Sequence, residues 1–260
     1  MQIQVILQDE SSKPSFKDAL DSRKMIVFSN LENTWDYVQF TTENTIGEDA
    51  PIIESLSWSP LELQSDQKHM DLKNLLFKSK DTINYYVCDC QVHCEFSLQG
   101  ESTFWLFLRG GNSFTTNTAV ITVSKREKSQ NCYVSMGTFV EDIHKNLIYK
   151  IFTRQQLLDY SKKKSEMNIK KDIVHYKMDI IDKGEETISG TIYMNDSERG
   201  NKINSGFFIP VIEKYQVIIG GTGDDCLMKA GYAKAEFKEE YASLYLTPNN
   251  HRDCDCCIIS

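Results

Sequence analysis

The sequence predicts a mainly β chain that folds as an antiparallel two-sheet β-sandwich with a few short helices. Three observations carry this. The first is strict alternation over residues 86–98: Tyr86, Cys88, Cys90, Val92, Cys94, Phe96 and Leu98 fall on one side, and Val87, Asp89, Gln91, His93, Glu95 and Ser97 on the other. A period of two on that scale is a long strand with one dry and one wet face. The second is the recurrence of strand-sized apolar runs at roughly ten-residue spacing. The third is the set of turn signals between them: Gly110-Gly-Asn, Lys183-Gly-Glu-Glu, Asn195-Asp-Ser and Gly220-Gly-Thr-Gly-Asp-Asp.

Taken in order, strands are expected at 2–7, 25–28 and 36–41, then at 86–98. Residues 104–108 (Phe-Trp-Leu-Phe-Leu) are apolar on both faces and so belong to a central strand. Strands at 119–124 and 132–139 follow. In 173–181, Val174, Tyr176, Met178 and Ile180 point inward; in 187–194, Ile188, Ile192 and Met194 do. Segments 207–212, 215–219, 230–237 and 241–246 complete the set. Helices are expected at 15–23, at 69–78 (Met70, Leu72, Leu75 and Leu76 at helical spacing) and from Arg154 into the following turns. Residues 1–80 join or cap the sandwich, residues 81–246 form it, and residues 247–260 are a polar tether ending in a lipid site.

The composition is that of a globular protein: 40% hydrophobic and 25% charged in 260 residues. Lys and Arg number 29 against 37 Asp and Glu, a net charge of -8. That balance argues against a nucleic-acid partner, which would require phosphate neutralisation. The opening Met1-Gln-Ile-Gln-Val-Ile-Leu-Gln-Asp has neither the basic start nor the apolar length of a signal peptide. The eight Cys are therefore expected to be reduced.

Cys257-Ile258-Ile259-Ser260 resembles the CaaX box of prenylated proteins, in an ending similar to the tails of Ras-type GTPases. The likeness covers the tail alone, because no Gly-x4-Gly-Lys-Ser/Thr phosphate loop occurs. It implies a farnesyl group on Cys257, recognition through Ile258, Ile259 and Ser260, removal of those three residues, and methylation of the new carboxyl group. One isoprenoid holds a protein only marginally, so a second signal is needed. No polybasic stretch is at hand, which leaves Cys256 and Cys254 as palmitoylation sites. The expected location is the cytoplasmic face of a membrane.

The body offers few groups for catalysis. Cys88, Cys90 and Cys94 read as core thiols; His93 points to the opposite face of their strand, so the set cannot close on a metal. No His pair has metal spacing, and no Gly-x-Ser-x-Gly elbow occurs. No cofactor, metal or catalytic residue is expected. The Gly-rich stretch is read as a hairpin turn, with Gly220, Gly221, Gly223, Asp224 and Asp225 as the candidate ligand loop. The basic stretches 125–128, 162–164 and 170–171 read as solvated turns; the alternative is contact with anionic lipid, if they lie on the side that faces the tail.

The order of strands over 83–246 resembles the concanavalin-type, laminin-G-like jelly roll. The likeness rests on Val92-His-Cys-Glu-Phe-Ser-Leu, Phe104-Trp-Leu-Phe-Leu-Arg-Gly-Gly, Tyr133-Val-Ser-Met-Gly, Tyr176-Lys-Met-Asp-Ile-Ile, Ile188-Ser-Gly-Thr-Ile-Tyr and Val217-Ile-Ile-Gly-Gly. Tyr215-Gln-Val-Ile-Ile-Gly-Gly is also similar to the farnesoic-acid methyltransferase-type domain of arthropods. The jelly-roll family implies two antiparallel sheets whose loops or concave face bind carbohydrate or protein. Its catalytic members carry Glu-x-Asp-x-x-Glu on one strand, which this sequence lacks. The expected function is thus a lipid-anchored module that binds a protein or a glycan, a protein being favoured in the cytosol. The alternatives are an enzyme acting on carbohydrate or lipid on the same scaffold, or a soluble sandwich with an incidental tail.

Overall fold

The computed structural model describes residues 25–27, 35–39, 52–53, 59–60, 70–73, 75–80, 83–84, 88–110, 118–126, 131–141, 147–161, 173–183, 187–206 and 214–237. Expected elements at 2–7, 15–23, 207–212 and 241–246 lie outside these residues, as does the whole tail. The strands, in chain order, are β1 (Met25–Val27), β2 (Trp35–Gln39), β3 (Ile52–Ile53), β4 (Ser59–Pro60), β5 (Met70–Asp71), β6 (Leu75–Ser79), β7 (Ile83–Asn84) and β8 (Cys88–Gly110). They continue with β9 (Ala119–Lys125), β10 (Cys132–Glu141), β11 (Leu147–Leu157), β12 (Ile173–Asp182), β13 (Thr187–Met194), β14 (Asn201–Gly206) and β15 (Lys214–Phe237).

Two long antiparallel strands, β8 and β15, organise the sandwich. Residues 90–99 of β8 pair with β12, and residues 102–108 pair with β9. β15 accompanies β8 through both halves. One sheet is therefore β14-β13-β12-β8-β15 and the other is β3-β11-β10-β9-β8-β15, joined where the two long strands pass from one to the other. β1 and β5 pair with the C-terminal half of β15, and β7 with its start.

The passage is a corner built on glycine. Gly100 has φ +63 and Gly223 has φ +99, a left-handed backbone that side chains disfavour. A Cβ at Gly100 would collide with the Asp224 carboxylate, and one at Gly223 with the carbonyl oxygen of Glu101. The register slips here, so that two residues of β8, Gly100 and Glu101, stand opposite the single residue Asp224 of β15. Its carboxylate accepts the Glu101 N–H at 2.9 Å. Ser102 Oγ accepts the Asp225 N–H at 3.0 Å, and Lys125 Nζ donates to the Gly100 carbonyl at 3.2 Å.

The core lies between the sheets. Cys90, Val92, Cys94, Phe96 and Leu98 are all within 1% of complete burial, as the alternation predicts. Tyr176, Met178 and Ile180 of β12 and Ile188, Ile192 and Met194 of β13 join them. Phe104, Leu106 and Leu108 face them from the second half of β8. Phe96 and Phe104, equally far from Gly100 along the chain, stack with centroids 3.9 Å apart. The open edges are tied by side chains: Asn201 of β14 holds both the N–H and the carbonyl of Leu158, each at 2.9 Å, and Thr153 of β11 bonds Ser205 at 3.1 Å.

A second apolar cluster covers the other face of the β9–β10–β11 sheet, with Leu76 of β6 among Trp105, Phe107, Val120, Phe139, Tyr149 and Ile218. β6 belongs to a small three-stranded sheet, β4-β2-β6.

Two expected helices are strands. In 69–78, the Leu72 N–H bonds the Cys226 carbonyl at 2.8 Å, and the segment splits into β5 and β6. From Arg154, the chain continues β11, which pairs with β10 along its length. Among the described residues there is no helix.

Candidate functional site

The Gly-rich stretch is not a loop. Gly220, Gly221, Gly223, Asp224 and Asp225 lie inside β15, so the expected hairpin turn is corrected to a strand corner. The physical reason is partner strand β8, which bends at Gly100 and carries the ladder across the bend. Gly220 backs onto Leu75 and Leu76, and Gly221 onto Cys226 and Leu72. These two glycines serve close packing.

The basic stretch at 125–128 is also not simply solvated. Lys125 is buried and committed to Gly100, and Arg126 begins the turn to β10, its N–H bonding the Asn131 carbonyl at 3.1 Å.

The described cysteines, Cys90, Cys94, Cys132 and Cys226, are buried free thiols. Burial, reinforced by the Asp179 carboxylate, pushes the Cys94 thiol far above its ordinary range. Burial, followed by Asp225 and Asp71, does the same to Cys226. A thiol held protonated in this way is a poor nucleophile. Among the described residues no group of three or more His, Cys, Asp or Glu side chains is disposed to hold a metal. Cys254, Cys256, Cys257, Ile258, Ile259 and Ser260 lie outside the described residues.

One cluster of polar and aromatic side chains was only half visible in the sequence. On the outer face of the β12–β8–β15 sheet, His93 Nδ1 lies 2.6 Å from Asp179 Oδ1, and His93 Nε2 lies 3.3 Å from Glu95 Oε1. Tyr232 of β15 stacks on the imidazole at 5.3 Å. The register explains the meeting: Asp179 and Tyr232 are the direct cross-strand partners of His93 on either side. His93 is 15% exposed, whereas Glu95 and Asp179 are 44% and 47% exposed. The ring is thus a half-buried spacer between two accessible carboxylates, beside an aromatic face. Lys177 and Thr191 occupy neighbouring register positions, and Lys229 Nζ lies 2.8 Å from His175 Nδ1 farther along. Because the ring stands between the two carboxylates, the three groups do not converge on one point. They offer hydrogen-bond acceptors and a stacking surface on a rigid sheet. The alternation had put His93 and Glu95 on the wet face; the pairing of β8 with β12 and β15 was the missing information.

No protein-family model and no curated protein sequence matches the chain. Solved structures do, at low identity. Lectin I of Ulex europaeus, solved with the methyl glycoside of α-L-fucose, is 10% identical with a TM-score of 0.43, over 83% of this chain and 99% of that one. A legume lectin-like domain from Entamoeba histolytica is 13% identical with a TM-score of 0.43, over 78% and 91%. The exoplasmic/lumenal domain of VIP36 is 11% identical with a TM-score of 0.42, over 89% and 93%. The similarity is one of chain path in outline, and no ligand comes with it.

Proposed function

We propose that this protein is a lipid-anchored binding module. In this reading a farnesyl group on Cys257 and palmitoyl groups on Cys256 or Cys254 hold the chain at the cytoplasmic face of a membrane, and the sandwich presents its outer faces to a protein or glycan, a protein being the better match to that compartment. The observation that carries the binding half is the His93–Asp179–Glu95–Tyr232 group: acceptors and an aromatic ring, pre-set by strand register on a rigid sheet and open to solvent. Preorganised groups of this kind lose little entropy on engaging a ligand. The anchor is supported by the tail sequence, Cys257-Ile258-Ile259-Ser260 with Cys256 and Cys254 before it.

The first experiment compares an N-terminally tagged chain with its Cys257→Ser variant in a eukaryotic cell. The expected result is membrane-bound wild type, a diffuse variant, and an intact mass showing one isoprenoid with three residues lost. Two diffuse proteins, or an unmodified C-terminal peptide, sink the anchor. The binding half is tested by glycan-array display and by affinity capture from cytosol, each beside Asp179→Asn and Tyr232→Ala. Ligands captured equally by the variants would not be using this face.

A further inference from the structure

Register sets one continuous row across the outer face of the first sheet: Thr191 of β13, Asp179 of β12, His93 of β8 and Tyr232 of β15. Glu95 stands two residues from His93 on the same face of β8. Each of the two carboxylates is nearly half exposed, and each has a single hydrogen-bond partner among the described residues, the imidazole between them. Neither is met by a lysine or arginine within ion-pair reach among the described residues. Lys177 is the register partner of Glu95 yet makes no ion pair with it, and Lys229 is turned to His175. Lys202 lies on β14 beyond Thr191, and Lys234 is opposite Gln91, one step past Tyr232. The imidazole also fixes a spacing. With hydrogen bonds of 2.6 and 3.3 Å on its two sides, the carboxylate oxygens stand roughly 7–8 Å apart.

We propose that Asp179, His93, Glu95 and Tyr232 take an extended basic segment of a protein partner, with lysine or arginine at alternate positions. The inference rests on the binding half of the reading above and gives its ligand a chemistry. A neutral glycan can hydrogen-bond these carboxylates but leaves both charges uncompensated, and an anionic ligand is repelled by them. An ammonium or guanidinium supplies the missing charge through charge-assisted hydrogen bonds, which are shorter and stronger than neutral ones. The spacing agrees, because side chains on one side of an extended segment recur at about 6.7 Å. Two such cations meet the two carboxylates without displacing the ring between them. The half-buried Tyr232 ring beside the imidazole adds an aromatic surface, to which a cation is also drawn. At longer range, the net charge of -8 favours the approach of a basic segment over an acidic one.

The test uses the full chain made in bacteria, so that a lipid on the tail plays no part. Fluorescence polarisation is measured with three labelled five-residue peptides: one with lysine at its second and fourth positions among threonines, one with glutamate at those positions, and one of threonine throughout. The proteins are wild type, Asp179→Asn, Glu95→Gln and the double variant, and thermal melts verify that each is folded. The expected result is binding of the lysine peptide only, weakened by salt, reduced about threefold by each substitution and about tenfold by both. No binding of the lysine peptide, equal binding of all three peptides, or binding unchanged by the double substitution overturns the proposal. If that happens while glycan display or cytosolic capture yields a ligand lost on Asp179→Asn or Tyr232→Ala, the face still binds, but not through cations. If no ligand depends on these residues by any route, the binding half of the earlier reading falls as well.

Discussion

Arg109 and Asp182 form a two-point ion pair, Nε to Oδ2 at 2.9 Å and one terminal nitrogen to Oδ1 at 2.6 Å, with neither side chain exposed to water. Arg109 is the penultimate residue of β8, and Asp182 is the strand partner of Cys90 near the start of its first half. The pair therefore clasps the two sheets at the end opposite the glycine corner. Such a pair contributes little net stability over an apolar replacement, but half of it is costly to leave behind. Asp182→Asn and Arg109→Met are each expected to lose about 3–5 kcal/mol in urea unfolding, because each strands a polar partner in the core. The double replacement Arg109→Met/Asp182→Leu recovers much of that loss. Single-variant losses below about 1 kcal/mol would show that water reaches the pair.

The corner makes a separate prediction. Gly223 holds φ +99 against the Glu101 carbonyl, so Gly223→Ala meets both backbone strain and a collision. Its expected destabilisation is about 2–3 kcal/mol, with a similar value for Gly100→Ala. Asp224→Ala removes only an exposed acceptor for one N–H, and about 1 kcal/mol is expected. The order of the three midpoints in chemical denaturation is the check. Equal effects for Gly223→Ala and Asp224→Ala would mean that the corner relaxes freely.

The stack of Phe96 on Phe104 bridges the two sheets at full burial. Phe96→Ala is expected to lose about 3–5 kcal/mol, and Phe96→Leu distinctly less, since the cavity is smaller. A double-mutant cycle with Phe104→Ala should give a coupling of about 0.5–1.5 kcal/mol, the part due to the aromatic pair itself.

The faces of the strands were legible in the sequence, and their partners were not. Alternation over 86–98 placed Cys90, Val92, Cys94, Phe96 and Leu98 in the core, where they are. It did not reveal that this strand continues through Gly100 to Gly110, because β15, more than a hundred residues later, carries the ladder across the bend. The same dependence turned a Gly-rich stretch that reads locally as a hairpin into the middle of β15. Leu72, Leu75 and Leu76 have helical spacing, yet Leu72 bonds Cys226 and Leu76 packs on Gly220. Tertiary pairing likewise overrode the helical propensity of Arg154-Gln-Gln-Leu in β11. β14 escaped notice because its inward positions include Asn201 and Ser205, polar residues that hold the neighbouring edge instead of filling the core. For the His93 group, both strand faces were readable, but the register that joins Asp179 to His93 was not.

The buried thiols and phenols set an alkaline limit on stability. Burial raises Cys94 and Cys226 above the ordinary thiol value of 9.0, and nearby carboxylates add to it. Burial likewise raises Tyr149 and Tyr176 above the ordinary phenol value of 10.0. A group that keeps its proton longer in the folded state makes the unfolded state the one that loses protons first. Its stabilising contribution is therefore complete below the unfolded value and declines as pH rises past it. The two thiols together should remove about 2 kcal/mol between pH 9 and pH 10, and the phenols steepen the fall above pH 10. Urea unfolding at pH 7, 9 and 10 measures the slope, and Cys94→Ala/Cys226→Ala should flatten it between pH 9 and 10. In parallel, Cys90, Cys94, Cys132 and Cys226 should resist iodoacetamide in the native protein at pH 8 and react in urea, as read by peptide mass. Native labelling of Cys94 or Cys226 at the rate of a free thiol would contradict their burial, and with it the dry interior between the two sheets.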